Sequence, residues 1–177
     1  MITMTDAMMG KIMADMTIVV DTREKKNDHI LKYLKEENIP YIIEKLDSAD
    51  YSFYLPTYPE IYADKKFLVE KKNSLDEIAQ NFTKGRPRFE REFERLEHGQ
   101  KIHLLIENAT WKKLYNGSYR SNINPKSFSA SLLTWCTRYS CPVWMCTPSE
   151  SPMLIYQILH YELLENLKQI RIDSKKK

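Results

Sequence analysis

Apolar residues recur along the chain in two rhythms, one suited to strands and one to helices. Thr17-Ile18-Val19-Val20 is a β-branched run that stops at Asp21, the pattern of a buried strand ending in a polar loop. Ile30, Leu31 and Leu34 then follow helical spacing, with Asp28 placed to cap the helix and Asn38 with Pro40 to end it. Tyr41 to Leu46 and Tyr51 to Leu55 return to strand patterning, Pro56 and Pro59 mark a connection, and Phe67 to Lys72 predicts a further strand. Ser74 suits the cap of a helix over 75–82, with Glu77 in the reciprocal capping-box position. Gly85 breaks that helix. Pro87 fits the first turn of the next one, where Phe89, Phe93 and Leu96 share a face before Gly99. Ile102 to Ile106 predicts a second buried strand. A short helix near Trp111, a helix over about 126–139, a strand from Val143 to Cys146 and a last helix from Pro152 complete the series. Strands interleaved with helices predict an α/β fold, one mixed central sheet flanked by helices on both faces.

The Met-rich residues 1–16 match none of these elements and are read as a leader outside the domain, either the product of an upstream start codon or a disordered segment. Residues 17–170 then form a single domain, and the basic segment 171–177 a frayed tail. A length of 177 residues supports one core, and 42% hydrophobic with 29% charged residues and only 4 glycines indicates a folded chain. No apolar run approaches the roughly 20 residues of a membrane span, and acidic Asp6 and Asp15 stand where an export signal would be basic. A cytoplasmic protein with no membrane association is expected. Cys136, Cys141 and Cys146 lack zinc spacing and read as reduced, buried thiols. The net charge of +3 identifies no partner by itself, but positive charge gathers at residues 65–72 and 84–95.

The period of two in Phe67-Leu68-Val69-Glu70-Lys71-Lys72 puts Glu70 and Lys72 on one face, beside Leu68. An acid and a lysine projecting together need a partner or a bound ion, because buried charge is costly. Asp50 lies at the far side of the expected hairpin, within reach of Glu70 across adjacent strands, and Asp21 closes a neighbouring strand. Hydrolysis of a phosphodiester requires an activated water and neutralisation of developing charge. Carboxylate oxygens suit Mg²⁺ or Mn²⁺, and a nearby lysine can orient or deprotonate water and offset phosphate charge. An Asp followed by E-x-K is also common on exposed, salt-bridged strands, so these residues alone leave both readings open.

The surrounding motifs narrow the choice. Val20-Asp21-Thr22-Arg23-Glu24, then Ala49-Asp50-Tyr51, then Val69-Glu70-Lys71-Lys72 with Asp76, resembles the nuclease domain of the XPF/Mus/Hef family of structure-specific endonucleases, whose pattern is V-D-x-R-E, G-D-Y, V-E-R-K-x-x-x-D. The similarity continues through Lys84-Gly85-Arg86 to the strand ending Ile106-Glu107. It implies a restriction-endonuclease-like PD-(D/E)XK fold, with Asp21, Asp50 and Glu70 at a Mg²⁺ or Mn²⁺ centre. Lys71 would add a backbone carbonyl to the metal and a contact to DNA, Lys72 would be the catalytic lysine, and Asp76 would support the site. Arg23 and Glu24 are candidates for a supporting pair. Ala49 replaces the family glycine and Lys71 its arginine. The length leaves no room for the tandem helix-hairpin-helix module of eukaryotic relatives, so the sequence looks like a stand-alone bacterial or bacteriophage form.

Lys84, Arg86 and Arg88 crowd a helix start, where the macrodipole disfavours cations and favours an anion, and are read as contacts to DNA phosphate. Arg88, Arg91 and Arg95 share a face, but Glu92 and Glu94 among them suggest a solvated, ion-paired surface. Trp111 with Tyr115 can stack on bases, although packing is the commoner fate of such residues. The four histidines are scattered and support no nucleophilic triad. The expected function is a metal-dependent endonuclease acting on duplex or branched DNA in replication, recombination or repair, without a nucleotide cofactor. Homodimerisation is expected through the apolar helix carrying Ile155, Ile158, Leu159 and Leu163. The alternative is a non-catalytic, architectural DNA-binding subunit that retains the fold.

Overall fold

The β-branched and aromatic runs pair into one sheet. Its strands are β1 (Thr17–Val20), β2 (Tyr41–Ile43), β3 (Tyr51–Tyr54), β4 (Phe67–Lys72), β5 (Lys101–Glu107) and β6 (Val143–Cys146), in the order β2-β1-β3-β4-β5-β6. β1 is parallel to β2 and antiparallel to β3. β3 is antiparallel to β4, and β4, β5 and β6 run parallel. The computed structural model describes residues 4–61, 67–96 and 99–175.

Alternation along the strands feeds two cores. On one face Ile18, Val20, Phe53, Val69 and Leu105 pack with side chains of α1 (Asp6–Ala14), α2 (Asp28–Glu36) and α7 (Ser151–Lys175). On the other, Leu68, Leu104 and Ile106 pack with α3 (Leu75–Phe82), α4 (Arg86–Glu94), α5 (Trp111–Tyr115) and α6 (Pro125–Tyr139). Trp135 of α6 centres the second core and stacks on Phe89 of α4, ring centroids 4.7 Å apart. In β4 the alternation therefore sends Phe67, Val69 and Lys71 to the first face, and Leu68, Glu70 and Lys72 to the second.

The amino-terminal segment departs from expectation. Thr5 caps α1 by accepting from the Met8 N–H, and Met4, Met9, Ile12 and Met16 are buried in the first core. Asp15 holds the Thr57 backbone N–H and hydroxyl at 2.8 and 2.7 Å. Residues 4–16 are therefore built into the domain, because the flexible methionines fill its first core. At the other end α7 continues to Lys175, so the expected tail is helical that far. The cap of α2 is Asn27 rather than Asp28. The α7 residues expected to form a dimer surface, Ile155, Ile158, Leu159 and Leu163, are core side chains instead. Of the three cysteines, Cys141 and Cys146 are buried and Cys136 is partly exposed, all as free thiols.

One junction positions the site. β3 meets β4 in a short pairing at Tyr51 and Val69, so Glu70, Lys71 and Lys72 run past the start of β3. The chain enters β3 through Ala49 at φ 65°, in the left-handed region. An L residue there costs about 1–2 kcal/mol, which explains why glycine suits this position in the resembling motif.

Candidate active site

The open end of β4 is satisfied by a side chain instead of a strand. Lys71 donates its backbone N–H to Asp50 Oδ2 at 2.8 Å, while Asp50 donates its own to Val69 O. Asp50 is thereby fixed beside Glu70, partly buried at the floor of an open cleft of about 1740 Å³. Burial raises the Asp50 carboxyl well above its ordinary range, and the neighbouring Glu70 charge pushes it further. Glu70 is also raised, chiefly by burial, with the Lys72 ammonium opposing. Lys72 Nζ lies 2.5 Å from Glu70 Oε1 and 5.3 Å from the centre of the Phe89 ring. Burial works against its charge, yet Glu70 and Asp50 outweigh that and hold Lys72 above its ordinary value.

Asp21 serves this floor from one step away. Its Oδ1 accepts from the Arg23 backbone N–H and Nε, both at 2.7 Å. Its Oδ2 accepts from Arg23 and from the Leu46 N–H. Burial alone would raise Asp21, but these donors hold it below the usual carboxylate range. Its backbone N–H also donates to Asp50 O at 2.8 Å. Asp21 with Arg23 thus fastens the 46–50 loop that delivers Asp50. With each oxygen engaged by two protein donors, the carboxylate is poorly placed to serve as a metal ligand.

Asp76, in the first turn of α3, receives the backbone N–H groups of Arg120 and Ser121 at 2.7 and 2.8 Å. It pins a loop whose residues 120–123 line the cleft. Half of the capping box forms as expected, Ser74 accepting from the Glu77 N–H, while the return bond is shifted by one residue, Glu77 accepting from the N–H of Asn73.

The expected basic contacts separate. Lys84 and Arg88 line the cleft. Arg86 does not; its Nε is paired with Glu90, which also meets Arg138. The Lys71 side chain is fully enclosed on the other face of the sheet. Its Nζ approaches Glu24 at 3.6 Å and Glu107 at 3.9 Å, and donates to Asn73 Oδ1 at 2.9 Å. The strand period sends it away from any DNA that enters the cleft. Glu24 belongs to this buried cluster and Arg23 to Asp21, so the two do not form one supporting pair. In the same cluster His29 Nε2 and Ser151 Oγ both meet Glu107 Oε1, an arrangement without the ordered relay of a hydrolase triad. Arg91, Arg95 and Arg120 also line the cleft. Helical spacing revealed the first two as a row with Arg88, but their direction and the arrival of Arg120 depend on packing.

A mixed six-stranded sheet between two helical layers, with Asp50, Glu70 and Lys72 at the end of its central strands, defines a restriction-endonuclease-like fold of the XPF nuclease type. The chain belongs to the ERCC4 domain family, whose model matches residues 20–158. It is similar to the solved structure of XPF from Aeropyrum pernix, with TM-score 0.61 and 17% identity over 82% of this chain and 61% of that one. A second structure, XPF from Aeropyrum pernix in complex with DNA, gives TM-score 0.60 and 18% identity over 82% and 64%. The chain spans about three-fifths of the length of those proteins, and at such identity the likeness establishes the fold. No curated protein matches the chain.

Proposed function

We propose that this domain is a Mg²⁺- or Mn²⁺-dependent endonuclease that hydrolyses phosphodiester bonds in duplex or branched DNA. The observation that carries the reading is the pair of desolvated carboxylates, Asp50 and Glu70, at the floor of an open cleft beside Lys72. Two crowded acids are unfavourable when both are ionised, and a divalent cation relieves that conflict. Among the described residues no group of three His, Cys, Asp or Glu side chains is disposed to hold a metal. Two carboxylates still fit Mg²⁺, which keeps several waters and takes further oxygens from substrate phosphate. Asp50 and Glu70 would hold the ion, with Asp21 acting through the loop it fastens. When bound, it would lower the pKa of a water and offset negative charge on the phosphate. Lys72, held in its charged form by Glu70 and Asp50, serves in the metal-free site as a cationic donor towards phosphate or water rather than as a base. Membership in the ERCC4 domain family and the similarity to an XPF structure solved with DNA support DNA as the substrate.

The test is cleavage of labelled duplex, flap, fork and four-way DNA, and a matched RNA, with Mg²⁺, Mn²⁺ or EDTA. Metal-dependent cutting of DNA is expected. Binding without cutting under every condition would favour an architectural subunit instead.

We also propose a homodimer, now on a different surface from the core side of α7. Trp144 on the sheet-edge strand β6 donates to His103 Nδ1 at 3.0 Å, and His103 Nε2 meets Glu162 of α7 at 2.9 Å. This linkage ties Trp144, 39% exposed, to the helix that carries Tyr161, 58% exposed and next to Glu162 in the chain. Sedimentation should give a dimer at micromolar concentration that W144E/Y161E converts to monomer. A monomeric wild type would end this proposal.

A further inference from the structure

The α4 helix carries an electrostatic conflict that its own sequence does not resolve. Arg88 is matched to Glu92 at 3.3 Å and Arg86 to Glu90 at 3.2 Å, both at i,i+4 spacing. Arg91 and Arg95 are also four residues apart, but they place like charges together, an arrangement that weakens a helix. Neither makes an ion pair or a side-chain hydrogen bond among the described residues. Both are exposed, and both line the cleft that contains Asp50, Glu70 and Lys72. The negative end of the helix dipole favours a cation in the last turn, but it does not account for two unpaired arginines facing the same cleft as the acids.

A third arginine arrives from elsewhere in the chain. The backbone of Arg120 is fixed by Asp76, yet its side chain is 93% exposed, with one long contact of 3.4 Å to Asp76 Oδ2. It too lines the cleft. The acids there are largely matched already: Glu70 by Lys72, Glu92 by Arg88, Glu77 by the backbone and side chain of Asn73. Asp47 and Asp50 line the cleft without an ion pair among the described residues, but Lys84, Arg91, Arg95 and the loosely held Arg120 outnumber them, so the surplus charge is positive and adjoins the proposed cleavage centre. Guanidinium groups in this state suit phosphate oxygens, which they contact through paired N–H donors.

We propose that Arg91 and Arg95, with Arg120, form a phosphate-binding track that holds the DNA backbone flanking the bond to be cut. The proposal rests on the nuclease reading above and adds to it the residues that position the strand. Placement of the reacting phosphate against Asp50 and Glu70 then depends on cations outside the acidic centre, whose negative charge would otherwise repel the substrate.

The test measures binding separately from cutting. Affinity of the full chain for fluorescent duplex and forked DNA is determined in EDTA across a salt series, for wild type, R91Q/R95Q and K32Q/K35Q. The last variant removes equal charge from α2, on the other side of the sheet. Loss of two phosphate contacts should weaken binding about tenfold or more near 0.1 M salt and lower the log–log salt slope by roughly two. K32Q/K35Q should stay within about twofold of wild type, because its charges lie away from the DNA. Equal losses in both double variants would reduce the effect to general charge and overturn the track. Unchanged binding by R91Q/R95Q, with metal-dependent cleavage intact in wild type, would overturn the track while leaving the nuclease reading in place. If wild type neither binds nor cuts DNA, both fall. Circular dichroism of R91Q/R95Q should match wild type and its stability should equal or slightly exceed it, since the removed side chains are exposed and unpaired and the change relieves a like-charge pair.

Discussion

Asp50→Asn is expected to abolish cleavage and, in the absence of metal, to make the protein more stable. Asparagine keeps the oxygen that accepts from the Lys71 N–H, so the β3–β4 junction retains its bond. It removes a carboxylate whose affinity for protons is raised first by burial and then by the neighbouring Glu70 charge. The catalytic loss should be about 10³-fold or more, the scale on which transition-state charge stabilisation is lost. The gain in stability should be about 1 kcal/mol, or roughly 2–4 °C in a chain of this size. The sign follows from linkage: a carboxyl raised in the folded state binds its proton more tightly there than in the unfolded chain. Its ionisation therefore costs stability as pH rises from below the unfolded value of 3.8 through the raised folded value. The advantage of D50N should appear near neutral pH and vanish below about pH 4. Mn²⁺ should raise the melting temperature of wild type and have little effect on D50N. A D50N protein that still cuts, or a wild type indifferent to the metal, would remove Asp50 from the proposed centre.

Lys71→Met should have its largest effect on folding. The wild-type ammonium is enclosed with Glu24 and Glu107, and its hydrogen bonds reach Asn73 and the Lys26 carbonyl. Methionine fills similar space but leaves buried carboxylates without their cation, a change that typically costs 3–5 kcal/mol. We expect about 3 kcal/mol from denaturant midpoints at constant slope. Adding Glu107→Gln should restore part of it, because the second change removes a charge that the first left unpaired. DNA affinity of the still-folded fraction should remain near that of wild type. If K71M is as stable as wild type and binds DNA poorly, the lysine belongs to the DNA interface after all.

Lys71 and Lys72 show how much could be read without a structure. The sequence assigned them to opposite faces of β4, because a strand alternates whatever surrounds it. It could not reveal that the Lys71 face is closed by α7, whose Ser151 helps enclose Glu107. The same limit applied at the amino terminus. Met4, Met9, Ile12 and Met16 resembled a compositional oddity because their meaning depends on a core assembled from residues far along the chain. Around α4, Glu92 and Glu94 between arginines suggested an ion-paired surface, but of Arg88, Arg91 and Arg95 only Arg88 has a matched acid among the described residues.

Asp50, Glu70 and Lys72 were legible because their placement follows from short-range rules: strand period, the turn before β3, and the order of motifs. The strands themselves were equally legible, since β-branched and apolar runs announce burial locally. Tertiary structure alone decided that Asp21 fastens a loop, that Asp76 anchors residues 120–123, and that Arg91, Arg95 and Arg120 reach one cleft. Those assignments depend on which long-range neighbour takes each charge, and a linear pattern does not determine that competition.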